Sequence, residues 1–290
     1  MERSIELFAI FGGLDVTLDC TKTTQMLILE HIIQNYEQLA LEMDKLLLYD
    51  KNAKKLLAAL ARNDRKIFSS FKKAHLNNLN GGIALDFLQR HKLLHVEHSR
   101  EEDKRKLKPK LKKTEAKHRI SDKFFITYPF VRFWFWFIFP HVKELQRQNY
   151  TPVLQMFQKE QTNFTSFVFE QLSAILLDYY LQEEQIESLA SYWDADMEID
   201  ILAKTKNEHI YLAECKWSNH SISKKELNKL EEKAKQLKIE PKQFLLFAKR
   251  GFSKELYSLE GEKVGLFSSD DFSLLLKTRP KNEYFPLHFL

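Results

Sequence analysis

The chain of 290 residues has room for two modest domains or one large one. Hydrophobic residues make up 44% of the chain and charged residues 29%, a balance that is ordinary for a globular protein and excludes disorder as the default state. The formal net charge of +5 is too small to indicate nucleic-acid binding by itself. The distribution of the charges along the chain is more informative about such binding.

The two cysteines, Cys20 and Cys215, are far apart in the sequence and suit neither a disulfide framework nor a zinc site. This cysteine usage is typical of a reducing compartment. The first residues, MERSIELFAIFGG, lack the basic start and the long apolar core of a signal peptide. We therefore expect a cytoplasmic protein.

Residues 1–50 are predicted to form a helical extension, because TTQMLILEHIIQNYEQLALEMDKLLL places apolar residues at three- and four-residue spacing. Residues 51–120 are similar to a winged helix-turn-helix domain. Two helices, NAKKLLAALARN and RKIFSSFKKAHL, precede a Gly-Gly turn and a third helix around Gly82–His91, and LLHVEHS is the predicted first wing strand. As a recognition helix, the third helix would present to DNA the side chains of Gln89, Arg90 and Lys92.

A strongly basic segment, residues 101–119, follows and contains almost no apolar residue. One interpretation is a solvated loop. The other is a wing whose cations neutralise DNA phosphates, with binding that weakens as salt rises. The position directly after the predicted recognition helix favours the wing. Its candidate DNA-binding residues are Lys104, Arg105, Lys106, Lys108, Lys110, Lys112 and Lys113.

The aromatic segment Phe124–Val142 is the part of the chain that most resembles a membrane span. Pro129, Arg132 and Pro140 interrupt it, and the apolar run between the last two is far shorter than the ~20 residues that a span needs. We therefore predict aromatic connecting helices over residues 121–160, buried where two domains pack, in a protein that does not enter the membrane.

The pattern changes over residues 161–290. The predicted order is a helix, QTNFTSFVFEQLSAILLDYYLQ, a strand pair, Met197–Ala203 and His209–Trp217, and a charged helix, SKKELNKLEEKAKQL. A strand, QFLLFAKRGF, a short helix, SKELYSLE, and a last strand, KVGLFSS, complete it. This alternation predicts an α/β domain with a small mixed sheet flanked by helices, and an α+β protein overall.

The strand pair carries charges where a hairpin normally places uncharged side chains. With two-residue alternation, Glu198 and Asp200 share one face of the first strand, and Ile199 and Ile201 share the other. If the two strands pair, Asp200 comes close to Glu214 on one side of the hairpin. Two adjacent carboxylates repel, and burying them is costly unless a cation lies between them. The pair therefore indicates a site for a hard divalent cation, Mg²⁺ or Mn²⁺.

Three further residues are candidates for this site. Lys216 lies two residues beyond Glu214 on the same face, where a lysine can hold an attacking water or offset charge that develops on a phosphate. The backbone carbonyl of Cys215 is a candidate metal ligand. Glu170 lies on the apolar stripe of the preceding helix, where it needs a buried partner: a metal, its bound water, a core lysine or backbone donors.

The arrangement E…D-x13-E-x-K resembles the PD-(D/E)xK nuclease motif of restriction endonucleases and archaeal Holliday junction resolvases. Its four positions here are Glu170, Asp200, Glu214 and Lys216. Over a longer stretch, HRISDKFFITYPFVRFWFWFIFPHV, FVFEQL and EIDILA…ECKW together resemble the C-terminal portion of the archaeal-type ATPase family, a winged helix followed by a nuclease-like domain. FAIFGGLD resembles the segment that closes the ATPase part of that family, although Asp15 stands where the family usually has proline.

The resemblance implies a restriction-endonuclease-like fold over residues 161–290 and metal-dependent cleavage of DNA phosphodiesters. Asp200 and Glu214 would be metal ligands, Lys216 catalytic and Glu170 a supporting ligand. Glu198 has no equivalent in the family and would be an accessory residue. The resemblance also leaves two alternatives open. One is a catalytically inert DNA-binding regulator. The other is an interaction module that serves a separate ATPase or toxin-type partner through the aromatic helix. A homodimer is compatible with each of these.

Overall fold

The computed structural model describes residues 1–62, 65–98, 122–194 and 196–277. Within these ranges the chain forms two compact units. The helical unit contains residues 6–98 and 122–161, and the sheet unit contains residues 1–5 and 162–277. The fold class predicted from the sequence is confirmed, because the protein combines helices with a mixed five-stranded sheet and a small two-stranded sheet.

The first part of the helical unit consists of helices joined by short polar connections. An N-terminal helix that starts in the sheet unit leads into it, and a π-helical turn, Leu29–Ile33, continues the second helix. Thr23 caps that second helix, because its side chain accepts a hydrogen bond from the backbone N–H of Met26. The helices are α1 Glu2–Phe11, α2 Thr24–Ile28, α3 Tyr36–Leu46, α4 Lys51–Arg62, α5 Ile67–Lys73 and α6 Asn78–Arg90.

The predicted Gly-Gly turn is wrong, since Gly81 and Gly82 lie inside α6. The helix begins earlier, after Asn77, whose side chain accepts a hydrogen bond from the backbone N–H of Asn80. Gly81 is needed for close packing: a Cβ atom on it would lie 2.8 Å from the ring of Phe71 in α5. The same atom on Gly82 would meet open space. Glycine here serves the contact between two helices, not a turn.

Two strands follow α6. The first of them lies where the sequence predicts the first wing strand. β1 Leu94–Glu97 pairs antiparallel with β2 Lys123–Ile126. Phe124–Ile126, which the sequence places at the start of the aromatic helix, therefore belongs to a strand. The basic segment 101–119 lies outside the described residues.

From Pro129 onward the aromatic segment is helical, as predicted. Every residue from Pro129 to Ile138 is buried, including Arg132, whose guanidinium carbon lies 4.9 Å from the centroid of the Trp136 ring. A cation over an aromatic face is stabilised by the ring quadrupole, which explains how a charge is tolerated here. The helices are α7 Pro129–Phe133, a π-turn Trp134–Ile138, a 3₁₀ turn Phe139–His141, α8 Val142–Gln146 and the long α9 Thr151–Tyr180.

The sheet unit is built on one mixed sheet of order β3-β4-β5-β6-β7. The first three strands pair antiparallel, and β5, β6 and β7 pair parallel, with a helix in each crossover. The elements are β3 Ile186–Trp193, β4 Glu198–Thr205, β5 Ile210–Lys216, α10 Lys224–Leu237, β6 Gln243–Ala248, α11 Lys254–Tyr257 and β7 Val264–Ser268, followed by a 3₁₀ turn Ser269–Leu276.

No strand was predicted from the sequence at the position of β3. This strand lies at the edge of the sheet, pairs only with β4 and is interrupted by two shifts of register. Most of its residues are half-buried, without the alternation of buried and exposed positions that identifies a strand in sequence.

The predicted faces of β4 are also wrong. Ile199 packs with Leu212 in one hydrophobic cluster, and Ile201 packs with Ala213 in the cluster on the opposite face. The cause is a shift in the β3–β4 register, where Ala190 pairs with Leu202 but Tyr192 pairs with Ile199. One extra residue of β4 at this point reverses the alternation. The irregular stretch contains Asp200.

Helices cover both faces of the sheet. Phe169, Leu176 and Leu177 of α9 pack on one face, and Leu227 and Leu230 of α10 pack on the other. None of the helices within the described residues is both long enough and apolar enough to cross a bilayer.

Candidate active site

The predicted site residues lie at one end of the ladder between strands β4 and β5. Their ladder ends with the pair Ile201 and Ala213, so Asp200 and Glu214 are the first residues beyond it. Beyond the ladder, a side chain of β4 bonds to the backbone of β5: Oδ2 of Asp200 accepts a hydrogen bond of 2.7 Å from the backbone N–H of Cys215. This bond fixes the carboxylate of Asp200 against β5.

Glu214 is the most buried carboxylate of the group, with 7% of its surface exposed. Each of its oxygens accepts a hydrogen bond from a lysine: Oε1 from Nζ of Lys216 at 2.5 Å and Oε2 from Nζ of Lys233 at 2.7 Å. Burial raises the pKa of Glu214, but the two ammonium groups outweigh burial and hold its pKa below the ordinary value. Glu214 is therefore an ionised, tightly oriented acceptor.

The pKa of Asp200 is shifted in the opposite direction to that of Glu214. Burial and the nearby charges of Glu170 and Glu214 raise its pKa well above the ordinary value. The hydrogen bond from Cys215 and the charge of Lys216 oppose this shift without cancelling it. The same surroundings, burial first, raise the pKa of the Cys215 thiol. Asp200 is therefore less readily ionised than an ordinary aspartate, and a cation bound beside it would favour its charged form.

Lys216 connects the carboxylates. Its burial lowers its pKa, but the hydrogen bond to Glu214 and the charges of Asp200 and Glu226 raise the pKa above the ordinary value overall. Nζ of Lys216 also lies 3.9 Å from Oε2 of Glu226 in α10. Lys216 is thus a protonated group that can donate hydrogen bonds, and it does not fit the role of a general base.

The structure brings together Glu170, Asp200, Glu214 and Lys216, from one helix and two strands. Glu198 is exposed at the first residue of β4, and its accessory role stays a prediction. Cys215 takes part through its N–H; the use of its carbonyl as a ligand also stays a prediction.

The predicted DNA-binding residues fall into two groups. Gln89, Arg90 and Lys92 are exposed at the end of α6, as expected, but Arg90 is paired with Asp86 of the same helix at 2.9 Å. The seven residues of the basic segment, Lys104, Arg105, Lys106, Lys108, Lys110, Lys112 and Lys113, lie outside the described residues.

Sequence reasoning missed Lys233 and Glu226, both in α10. They lie seven residues apart, and in a helix this spacing brings two side chains to the same face. Nothing in the charged pattern of α10 distinguishes them from their solvated neighbours. Only the packing of α10 on β5 identifies them.

Among the described residues, no group of three or more His, Cys, Asp or Glu side chains is arranged to hold a metal ion. Mg²⁺ is usually held through one or two carboxylates together with waters and substrate phosphates. Asp200 on β4 and Glu214 on β5 are the hard oxygen donors that could hold it, and the metal site stays a prediction.

Residues 134–230 match the model of a family, DUF234, that is described as archaea bacterial proteins of unknown function. The match runs from the aromatic segment to the first half of α10 and contains all four residues of the E…D-x13-E-x-K arrangement. Lys233 lies just beyond it. No curated protein and no solved structure matches the chain.

Proposed function

We propose that this protein is a Mg²⁺-dependent nuclease of the PD-(D/E)xK type that hydrolyses phosphodiester bonds of DNA. The observation that carries the proposal is the group of charged side chains at the end of the β4–β5 ladder. Asp200, whose pKa is raised by burial and by the charges of Glu170 and Glu214, lies there with Glu214, which is bound to Lys216. A structural ion pair would need Glu214 and a lysine, but it would not need Asp200 and Glu170 beside them.

Asp200 and Glu214 would hold the cation, with Glu170 in a supporting position. Mg²⁺ or Mn²⁺, when bound, would neutralise these carboxylates and stabilise the negative charge that develops on the scissile phosphate. Cys215 contributes by orienting Asp200 through its N–H, and Lys233 by orienting Glu214. Such outer contacts normally matter for affinity and activity, since they fix the ligand atoms.

Lys216 would act on the reacting groups directly. Its ammonium group can hydrogen-bond both a phosphate oxygen and the attacking water, which places the water for attack on phosphorus. A bond forms between the water oxygen and phosphorus, one P–O ester bond breaks, and the leaving oxygen takes up a proton. The products are an alcohol and a phosphate monoester.

The wider expectations belong to the same proposal. The helical unit would bind DNA through α6 and the basic segment that follows it. The two cysteines are free thiols, and the cytoplasmic location remains a prediction from their number and spacing. A second copy of the chain and a separate ATPase are the other partners that the sequence resemblance leaves open.

The test is an incubation of the purified protein with plasmid, linear duplex, single-stranded and branched DNA, in Mg²⁺, Mn²⁺ or EDTA. Lys216→Ala is compared with Lys204→Ala, a matched control on β4 that forms ion pairs with Glu187 and Glu208. We expect metal-dependent cleavage that is lost in the first variant and kept in the second. Cleavage that persists in Lys216→Ala, or no cleavage by the wild type in any condition, contradicts the proposal.

A second candidate function, an inert DNA-binding regulator, has one observation in its favour. Both oxygens of Glu214 are already bonded to lysines, so the charge of this carboxylate is neutralised within the protein. This candidate predicts DNA binding that is unchanged in EDTA and no cleavage with either metal.

A further inference from the structure

A groove in the helical unit is lined by cations, and none of the lining residues is among those that the sequence identified for DNA binding. It is open, has a volume of about 440 Å³, and is formed by α4, the end of α5 with the two residues that follow it, and the 3₁₀ turn Phe139–His141. Its lining residues are Lys55, Ala58, Ala59, Arg62, Lys73, Ala74, His75 and Phe139. No acidic residue is among these lining residues.

The cations form the rim of the groove. Lys55 and Arg62 are exposed and lie seven residues apart on α4, so they share one face of the helix. Lys73 ends α5, and His75 follows in a left-handed conformation with φ of 53°. The side chains of both are exposed. Four cationic or potentially cationic groups thus surround one opening.

The floor is different from the rim. Three alanines, Ala58, Ala59 and Ala74, line it with side chains of a single carbon. Phe139 is half-buried and adds an aromatic surface to the wall. A floor of small side chains lets a bulky backbone approach closely, and an aromatic ring accepts a stacked base.

We infer that this groove binds the phosphodiester backbone of the nucleic acid that the protein acts on. The inference rests on the proposed function for the identity of the ligand. Seven residues of helix separate Lys55 and Arg62 by about 10 Å along the axis. One DNA strand carries a charge about every 3.4 Å along the helix axis, so these two cations span about three phosphates of a strand, which is more than a single phosphate ion can bridge. The contacts are to the backbone and read no sequence.

The experiment measures the anisotropy of a fluorescent DNA duplex and of the corresponding single strand, in EDTA and at a series of NaCl concentrations. The test variant carries Lys55→Gln, Arg62→Gln and Lys73→Gln. The control variant loses the same charge at exposed lysines outside the groove, through Lys45→Gln, Lys143→Gln and Lys159→Gln. Circular dichroism melting of both variants checks that they are folded.

We expect the groove variant to bind at least tenfold more weakly than the control. Its slope of log K against log salt should fall by about 0.7–0.9 for each phosphate contact removed. Equal affinity and equal slope in the two variants would overturn the inference. A second result would also overturn it: inorganic phosphate raises the melting temperature of the wild type but not of the groove variant, while the groove variant binds DNA as tightly as the control. The groove would then bind phosphate ions and not DNA.

Cleavage assays on the same proteins keep this inference separate from the proposed function. A groove variant that binds and cleaves like the wild type contradicts the groove and leaves the nuclease standing. A wild type that binds DNA through the groove but never cleaves it contradicts the nuclease and supports the groove. A wild type that binds no DNA contradicts both.

Discussion

In the sheet unit, Glu214 is buried and held by two ammonium groups. In the helical unit, Lys55, Arg62 and Lys73 are exposed around a groove that has no acidic residue among its described lining residues. Charges of the first kind are oriented in a low dielectric and interact strongly. Charges of the second kind act through water and are screened by salt. The first arrangement suits chemistry at one atom, and the second suits general attraction to a polyanion.

The same contrast holds for stability. Burial, together with the charges of Glu170 and Glu214, raises the pKa of Asp200, so its ionisation at neutral pH costs the folded state free energy. The cations of the groove are exposed to solvent, and salt screens their mutual repulsion. In natural proteins, local destabilisation of this kind is concentrated where function requires it.

The largest expected effect is on cleavage. Asp200→Asn keeps an oxygen that can accept the hydrogen bond from the Cys215 N–H but removes the negative charge. We expect cleavage to fall by about 10²–10³-fold, the loss typical of removing one group that stabilises transition-state charge. Initial rates on plasmid DNA measure it, and DNA binding in EDTA should stay unchanged. A variant that loses binding and cleavage together would show that Asp200 supports the fold and not the chemistry.

The next effect is on the helical unit and uses two adjacent glycines. Gly81→Ala would place a methyl group 2.8 Å from the ring of Phe71, and overpacking of this kind costs about 1–3 kcal/mol. Gly82→Ala would meet open space and should stabilise α6 by about 0.5–1 kcal/mol, since alanine is the better helix former. Urea unfolding of both variants measures the difference. Equal stabilities would contradict the packing of α5 on α6.

A smaller effect is expected at Lys233. Lys233→Met keeps the length of the side chain but removes the hydrogen bond to Oε2 of Glu214. Because such a bond orients a ligand, we expect a loss of about tenfold in cleavage or in the Mg²⁺ concentration needed for it. Lys235→Met, exposed on the same helix, is the matched control. If the two variants are equally active, Lys233 only neutralises charge.

The smallest effect is on stability. Asp200→Asn, which should lower cleavage, should make the protein more stable in EDTA. Since the pKa of Asp200 is raised above 3.8 in the folded protein, the wild type loses stability as the pH rises from 3.8 through the raised value. Asp200→Asn does not titrate, so in EDTA its melting temperature should exceed that of the wild type at neutral pH. The gap should close toward low pH. Mg²⁺ should raise the melting temperature of the wild type alone.

Much of the fold could be predicted because the pattern is local. The sequence predicted helices at α4, α9 and α10 and strands at β4 to β7, and the structure has all of them. The errors arose where a contact, not a local preference, decides the structure. Gly81 reads as a turn but serves the approach of Phe71, and the edge strand β3 has no clear alternation.

The sequence by itself determined the α/β class and the four charged positions Glu170, Asp200, Glu214 and Lys216, because both depend on residue type and spacing along the chain. Only the tertiary structure decided how those positions interact. The extra residue in β4 reverses the side-chain alternation near Asp200, and the packing of α10 on β5 brings Lys233 to Glu214. Likewise, the groove exists only because α4 and the end of α5 place separate cations around shared alanines. Hydrogen bonds and screening depend on distances in space, which no spacing in sequence specifies.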